Sequence, residues 1–315
     1  MKASVKASLL FAFGRTPGGT HLYRHLTRMG MGTQATHVDK LARVWPGYCR
    51  TLQEKCGVDW AGKDLWIHEG GWTVLPVLIG YLLTGKGAVV TNVDGRVTDR
   101  YTGRSLEFAA NLDLSVELVL ERKAMIAKMA GLPWRSIVSE LGGQVFEQVR
   151  AAALALPSES ADVCHTGGTL EHYSPERLRA FVRESFRVLR PRGVASHVFD
   201  HRDHLYHADR SIPFLNHLRF SEQAYSVRYG HPLLYHNRLL PSEIVALFES
   251  EGFETIAVRR LVLPAARYAD SEEDALQSAA GIGRERLAPR FQAASDVDLH
   301  TAAGHYLFRK KPAEG

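Results

Sequence analysis

Leu65-Trp-Ile-His-Glu-Gly-Gly-Trp-Thr-Val-Leu-Pro-Val-Leu-Ile-Gly-Tyr-Leu-Leu83 admits few folds. Leu65-Trp-Ile67 reads as a buried strand and Glu69-Gly70-Gly71 as a tight turn, with an apolar helix over residues 73–83. A glycine turn between strand and helix lets backbone approach a ligand closely, and it aims the free N–H groups of the first helical turn into a crevice. A second strand, Ala88-Val-Val-Thr91, follows and ends in the polar tip Asn92-Val-Asp94-Gly95. Strand, glycine turn, helix, strand and polar tip form the nucleotide-binding half of an open α/β sheet, with the tip where a ribose lies. Glycine turns of this kind also occur in α/β proteins that bind no nucleotide, so both readings stand at this point.

The chain has 315 residues, enough for one large α/β domain with additions. Its net charge is +5 with acids and bases interspersed, and no dense basic stripe carries interleaved aromatics, so nucleic acid is not an expected partner. The three cysteines, Cys49, Cys56 and Cys164, form no CxxC pair or disulfide framework, which fits a reducing cytoplasm. No stretch approaches the ~20 apolar residues of a membrane span. Leu9-Leu-Phe-Ala-Phe13 is too short for a signal peptide and leads to no small-residue cleavage site, so an N-terminal helix is expected.

Residues 1–63 read as a helical extension that caps the crevice, interrupted at Pro46-Gly47. Within it Gln34-Ala-Thr-His37 either faces a ligand or only supplies Thr36 as a helix cap. Residues 64–315 read as the α/β domain, with a lid insertion at about 200–240. Residues 98–112 are helical, 113–128 helical or mixed, and 132–138 ambiguous between strand and loop. Residues 144–155 favour helix by propensity and are apolar enough for either helix or strand, which leaves the third strand unplaced. Asp162-Val-Cys-His-Thr166 is a central strand with a Gly167-Gly168 turn at its end. Ser174 caps and Pro175 opens a helix over 176–189. Arg190-Pro-Arg-Gly193 breaks it before the strand Val194-Ala-Ser-His-Val-Phe199. Consecutive strand–helix units require a parallel sheet with right-handed crossovers. A helix over 241–252, a strand over 253–262, a helical stretch to about 294 and a last strand over 300–310 complete the domain.

Residues 200–238 lack clean periodicity and are rich in histidine; a long insertion after a parallel strand lies over the ligand crevice. His204 and His207, near Asp203 and Asp209, are candidate bases if a carboxylate orients an imidazole. His201, His204 and His207 recur every three residues, so metal binding to Zn, Fe or Mn is a further reading, beside a purely hydrogen-bonded cluster. His172, at the end of the central strand, is a candidate if the register faces it into the crevice, with a helix-capping role equally open. Cys164 is expected in the core.

Asp162-Val163 leading through Leu170-Glu-His172, then Phe186-Arg-Val-Leu-Arg-Pro-Arg-Gly193, then Leu247-Phe-Glu-Ser-Glu-Gly-Phe-Glu254, resemble in order and spacing a class I S-adenosylmethionine-dependent methyltransferase. Members carry a similar LEH after the fourth strand, a proline–glycine turn before the fifth and an LFEEAGF before the sixth. The resemblance spans roughly residues 62–310. It implies a Rossmann-like α/β fold, a seven-stranded mostly parallel sheet with helices on both faces. It also implies S-adenosylmethionine as cofactor and a methyl acceptor, expected to be a small molecule; a homodimer stays open. The implied cofactor contacts are Glu69, Gly70, Gly71, Trp72, Asn92, Asp94 and Thr166, and the residue pattern keeps His204, His207 and His172 as the catalytic candidates.

The chain departs from the family where the cofactor binds. Of the first motif, an acid followed by spaced glycines, only Gly71 matches; the acid position is Ile67 and the first glycine position is Glu69. The ribose carboxylate falls on Asn92, whose neutral hydrogen bonds are about half as strong as charge-assisted ones. Ala151-Ala-Ala153 replaces the adenine-contacting region. Glu69 repels a phosphate but pairs with an amino or sulfonium group, which disfavours NAD and nucleotide phosphates. The alternative is a methyltransferase-fold protein that has lost methyl transfer and serves as a binding or partner module.

Overall fold

A computed structural model describes residues 9, 12–19, 22, 34–68, 73–92, 97–112, 119–147, 149, 154–207, 211–231, 233–262, 267–269 and 283–312. One eight-stranded sheet organises them, in the order β3-β2-β1-β4-β5-β8-β6-β7. Its strands are β1 (Leu65–His68), β2 (Val89–Asn92), β3 (Gln144–Glu147), β4 (Ala161–Gly167), β5 (Leu189–Asp200), β6 (Phe253–Val262), β7 (Arg267–Ala269) and β8 (Thr301–Lys310). Strands β3, β2, β1, β4 and β5 pair in parallel, and β8 runs antiparallel to both β5 and β6. Seven strands meet the expectation, and β7 is a short addition at the edge, paired antiparallel with β6.

Strict alternation sorts side chains to the two faces. Leu65, Ile67, Val90 and Val163 enter one core, with helices α1 (Gln34–Cys56), α2 (Leu75–Thr84), α3 (Thr102–Asn111), α4 (Val119–Ala127) and α5 (Trp134–Glu140). Trp66, Cys164, Ala195 and Phe199 enter the other, with helices α6 (Pro175–Val188) and α8 (Pro241–Ser250). Cys164 is fully buried, and burial pushes its thiol well above the ordinary value.

Three local expectations need correction, and one stretch left open between helix and strand takes the second form. Pro46-Gly47 does not interrupt the N-terminal helix: α1 runs through Pro46. The lost backbone bond is offset by burial of Trp45, Cys49 and Leu52 along one face. Residues 134–140 are helical because the Asp99 carboxylate accepts the Trp134 N–H at 2.6 Å, a cap supplied from a distant turn. Residues 144–147 are a strand despite their helix propensity, because pairing with β2 decides. Arg190-Pro-Arg-Gly193 does not separate helix from strand but lies inside β5, where Arg192 has φ of 66° and the register with β4 shifts. Arg190 pairs there with Asp64 and Asp162 at 2.8 and 2.9 Å, tying the amino-terminal edges of β1, β4 and β5 together.

The insertion after β5 carries helix α7 (Glu222–Tyr229) and its own small core of Leu205, Tyr225, Tyr229 and Leu234.

Candidate active site

Strand β1 pairs with β2 on one side and β4 on the other, so the chain reverses its direction of travel across the sheet there. Such a switch point opens a crevice at the carboxyl ends of the strands. Of the sequence-derived cofactor contacts, Glu69, Gly70, Gly71, Trp72 and Asp94 lie outside the described residues. Asn92 ends β2 and is buried. Thr166, near the end of β4, is buried with its hydroxyl 3.0 Å from His197 Nδ1, so its side chain is engaged within the sheet layer.

The helix after the glycine turn differs from the expected one. It starts at Leu75 rather than Thr73, with Pro76 in its first turn. The Leu75 N–H bonds the Thr73 hydroxyl at 3.3 Å, Pro76 has no N–H, and the N–H groups of Val77 and Leu78 both reach the Val74 carbonyl. The amides that cradle phosphates in other nucleotide-binding proteins are thus engaged within the turn.

Beside that turn stands a residue the motif reading passed over. His68 ends β1, fully buried, with Nδ1 2.7 Å from Thr91 Oγ1 and Nε2 2.6 Å from the Tyr173 hydroxyl. Trp66 Nε1 also donates to Thr91 Oγ1, at 2.9 Å. The indole can only donate, and the buried Thr91 hydroxyl has no acceptor for its own hydrogen among the described residues except His68 Nδ1, so it donates there and His68 Nε2–H donates to Tyr173. Burial, helped by nearby Arg177, pushes His68 down to about 3, which keeps it neutral. The chain crosses from β1 through β2 to the turn after β4, bracing the walls of the crevice. Its only sequence signal is the even-numbered position of His68 opposite the apolar Leu65 and Ile67.

The histidine candidates gather on the other side of the β4 turn. Leu170, Glu171 and His172 form a single helical turn after β4, and His204 to His207 form another after β5. Asn237, also missed from sequence, ties the end of the insertion to the first of these turns: its Nδ2 donates to the Leu170 and Tyr173 carbonyls at 2.9 and 3.1 Å, and its N–H to the Glu171 carbonyl. The rings of His172 and His204 lie 4.9 Å apart, those of His204 and His207 5.7 Å, and His204 stacks on His236 at 4.6 Å. His217 closes the cluster 4.5 Å from His236. The structure thus brings His172, His204 and His207 together. His201 departs: its Nε2 meets the Tyr306 hydroxyl at 2.7 Å, so the three-residue recurrence does not describe one face.

The orienting carboxylates are also reassigned. Asp203 is fully buried and takes bonds from Tyr229, Asn216 and the Leu205 amide, a role inside the insertion core. Asp209 lies outside the described residues. The carboxylate facing an imidazole is Asp200, whose Oδ2 is 2.9 Å from His207 Nε2. Burial alone would raise Asp200, but bonds from His207 and Arg202 outweigh it and hold the carboxyl well below the usual range. An ionised Asp200 takes the Nε2 hydrogen and leaves His207 Nδ1 with a lone pair. Burial, reinforced by His236 and His172, holds His204 well below the ordinary imidazole value.

Residues 95–196 match the family model described as a methyltransferase domain. That segment, about a third of the chain, is similar to a methyltransferase domain. The match covers β3, β4 and most of β5, whereas β1 and β2, where the methyltransferase first motif departs from the family pattern, lie before it. No curated protein matches the chain. Solved structures similar to it include an S-adenosylmethionine-dependent methyltransferase from Mesorhizobium loti, 12% identical over 87% of this chain and 100% of that one, with a TM-score of 0.45. A [4+2]-cyclase is 16% identical over 84% and 81% of the two chains, with a TM-score of 0.43. A methyltransferase from Methanosarcina mazei is 13% identical over 81% and 94%, also with a TM-score of 0.43. Likenesses this distant say nothing of substrate. Among the described residues no helix is long and apolar enough to cross a membrane.

Proposed function

We propose that the protein transfers the methyl group of S-adenosylmethionine to a small-molecule acceptor. The observation that carries this reading is the collection of polar groups at one carboxyl edge: Asn92 after β2, the β4 turn, and the Asp200–His207 pair after β5. Binding there suits a sulfonium rather than a phosphate, because the first amides of α2 are already engaged. The insertion that follows β5 covers this edge and encloses an acceptor of limited size.

In-line displacement needs little from the protein beyond alignment, shelter from water and an outlet for the acceptor's proton. S-adenosylmethionine bound at this edge would supply the methyl group, and His207 Nδ1 would take the proton that the acceptor gives up. Asp200 holds the ring and stabilises the imidazolium that results. His204 and His172 line the same wall and orient the acceptor.

Isothermal titration with S-adenosylmethionine and S-adenosylhomocysteine tests the reading. Micromolar binding of both is expected. Absence of detectable heat for either overturns it and leaves the binding-module alternative.

A further inference from the structure

We propose that Glu171, His172 and His204 hold one divalent transition-metal ion of the zinc class at the mouth of the crevice. One ligand atom from each of the three lies within 4.8 Å of the others. Ligand atoms around tetrahedral zinc sit about 3.4 Å apart, so the site closes by roughly an ångström on loading. Two imidazoles and one carboxylate are the donor set of open catalytic zinc and non-haem iron centres, which leave positions free for a further ligand.

The local bonding prepares these groups as ligands. His172 Nδ1–H donates to the Tyr235 carbonyl at 2.9 Å, which fixes the tautomer and leaves Nε2 with its lone pair. His204 makes no hydrogen bond among the described residues, and its contacts are ring contacts with His172, His207 and His236. Asn237 fixes the backbone turn that carries both Glu171 and His172. A second observation points the same way: His236 Nε2 and His217 Nδ1 are buried with no hydrogen-bond partner among the described residues. These rings give His204 no hydrogen-bond partner, so its own nitrogen lone pair stays open to a cation.

A second grouping, Asp200, His204 and His207, has the same reach. It is the weaker choice because Arg202 grips both Asp200 oxygens at 2.8 Å and His207 takes one of them as well. A cation there has to displace a guanidinium fork. On the methyltransferase reading, the open positions of the ion take an oxygen of the acceptor; the binding of the ion itself does not depend on that reading.

Titrating the metal-free full-length protein with cobalt(II) chloride, without S-adenosylmethionine, tests the site. One cobalt per chain with visible d–d absorption is expected. His172→Ala, His204→Ala and Glu171→Gln each weaken it at least about 100-fold while circular dichroism stays unchanged, and His207→Ala binds within a few-fold of wild type. Absence of saturable absorption, or loss with His207→Ala but not with Glu171→Gln, overturns the assignment. Because no cofactor is present, a negative result leaves methyl transfer standing, and failure of cofactor binding leaves the metal site standing.

Discussion

At the scale of single residues, the hydrogen-bond chain through His68 has a defined direction and therefore a defined weak point. Tyr173→Phe removes the acceptor of the buried His68 Nε2–H while keeping the ring that packs on Phe181. A buried donor without a partner costs about 1–3 kcal/mol. Urea denaturation is expected to show a loss of that size with an unchanged slope; a loss under 0.5 kcal/mol would mean the His68 hydrogen finds another acceptor. His68 lay inside the stretch that motif reading began from, yet it matched no motif. Its partners Thr91 and Tyr173 come from β2 and from beyond β4, and no local pattern announces a contact across 105 residues. The same limit explains Asp200. Sequence distance pointed to Asp203 and Asp209, but the turn after β5 folds Asp203 inward to Tyr229 and Asn216.

At the scale of elements, legibility followed the strength of the periodic signal. Strands β1, β2, β4, β5, β6 and β8 came close to their expected positions because buried parallel strands are short apolar runs between turn residues. Helix α6 was readable from Ser174 and Pro175, and Ser174 Oγ indeed accepts the Arg177 N–H. Strand β3 was not, because an edge strand buries little and takes its form from its neighbour. Helix α2 offers the sharpest test of packing at this level. A Cβ on Gly80 would stand 2.4 Å from the Ala88 amide nitrogen, against backbone that cannot step aside. Gly80→Ala should destabilise by about 1–3 kcal/mol despite the better helix propensity of alanine. Thermal unfolding checks this: a raised melting temperature would show that the helix and β2 are further apart than described.

For the whole molecule, acid is the expected vulnerability. His68, His197 and His305 are each driven by burial to about 3, from an ordinary value of 6.5. Between those values the unfolded chain binds protons that the folded chain refuses, so stability falls as pH drops from 6.5 towards 3. Each of the three contributes up to about 1.4 kcal/mol per pH unit in that window, and none above it. Denaturation midpoints measured from pH 7.5 to 4.5 should therefore be flat above 6.5 and then fall steeply. A midpoint that stays level down to 4.5 would mean that these imidazoles are wetter than their burial indicates.

The position of β8 has a consequence for biosynthesis. Among the described residues it is the last strand in chain order, yet it lies between β5 and β6 and supplies the pairing that joins them. Until β8 is made, the 12-residue β5 stands with a bare edge and β6 has no seat on the parallel half. Closure of the sheet waits for residues 301–310, which makes the interval before they emerge the time when chaperones matter most to these strands.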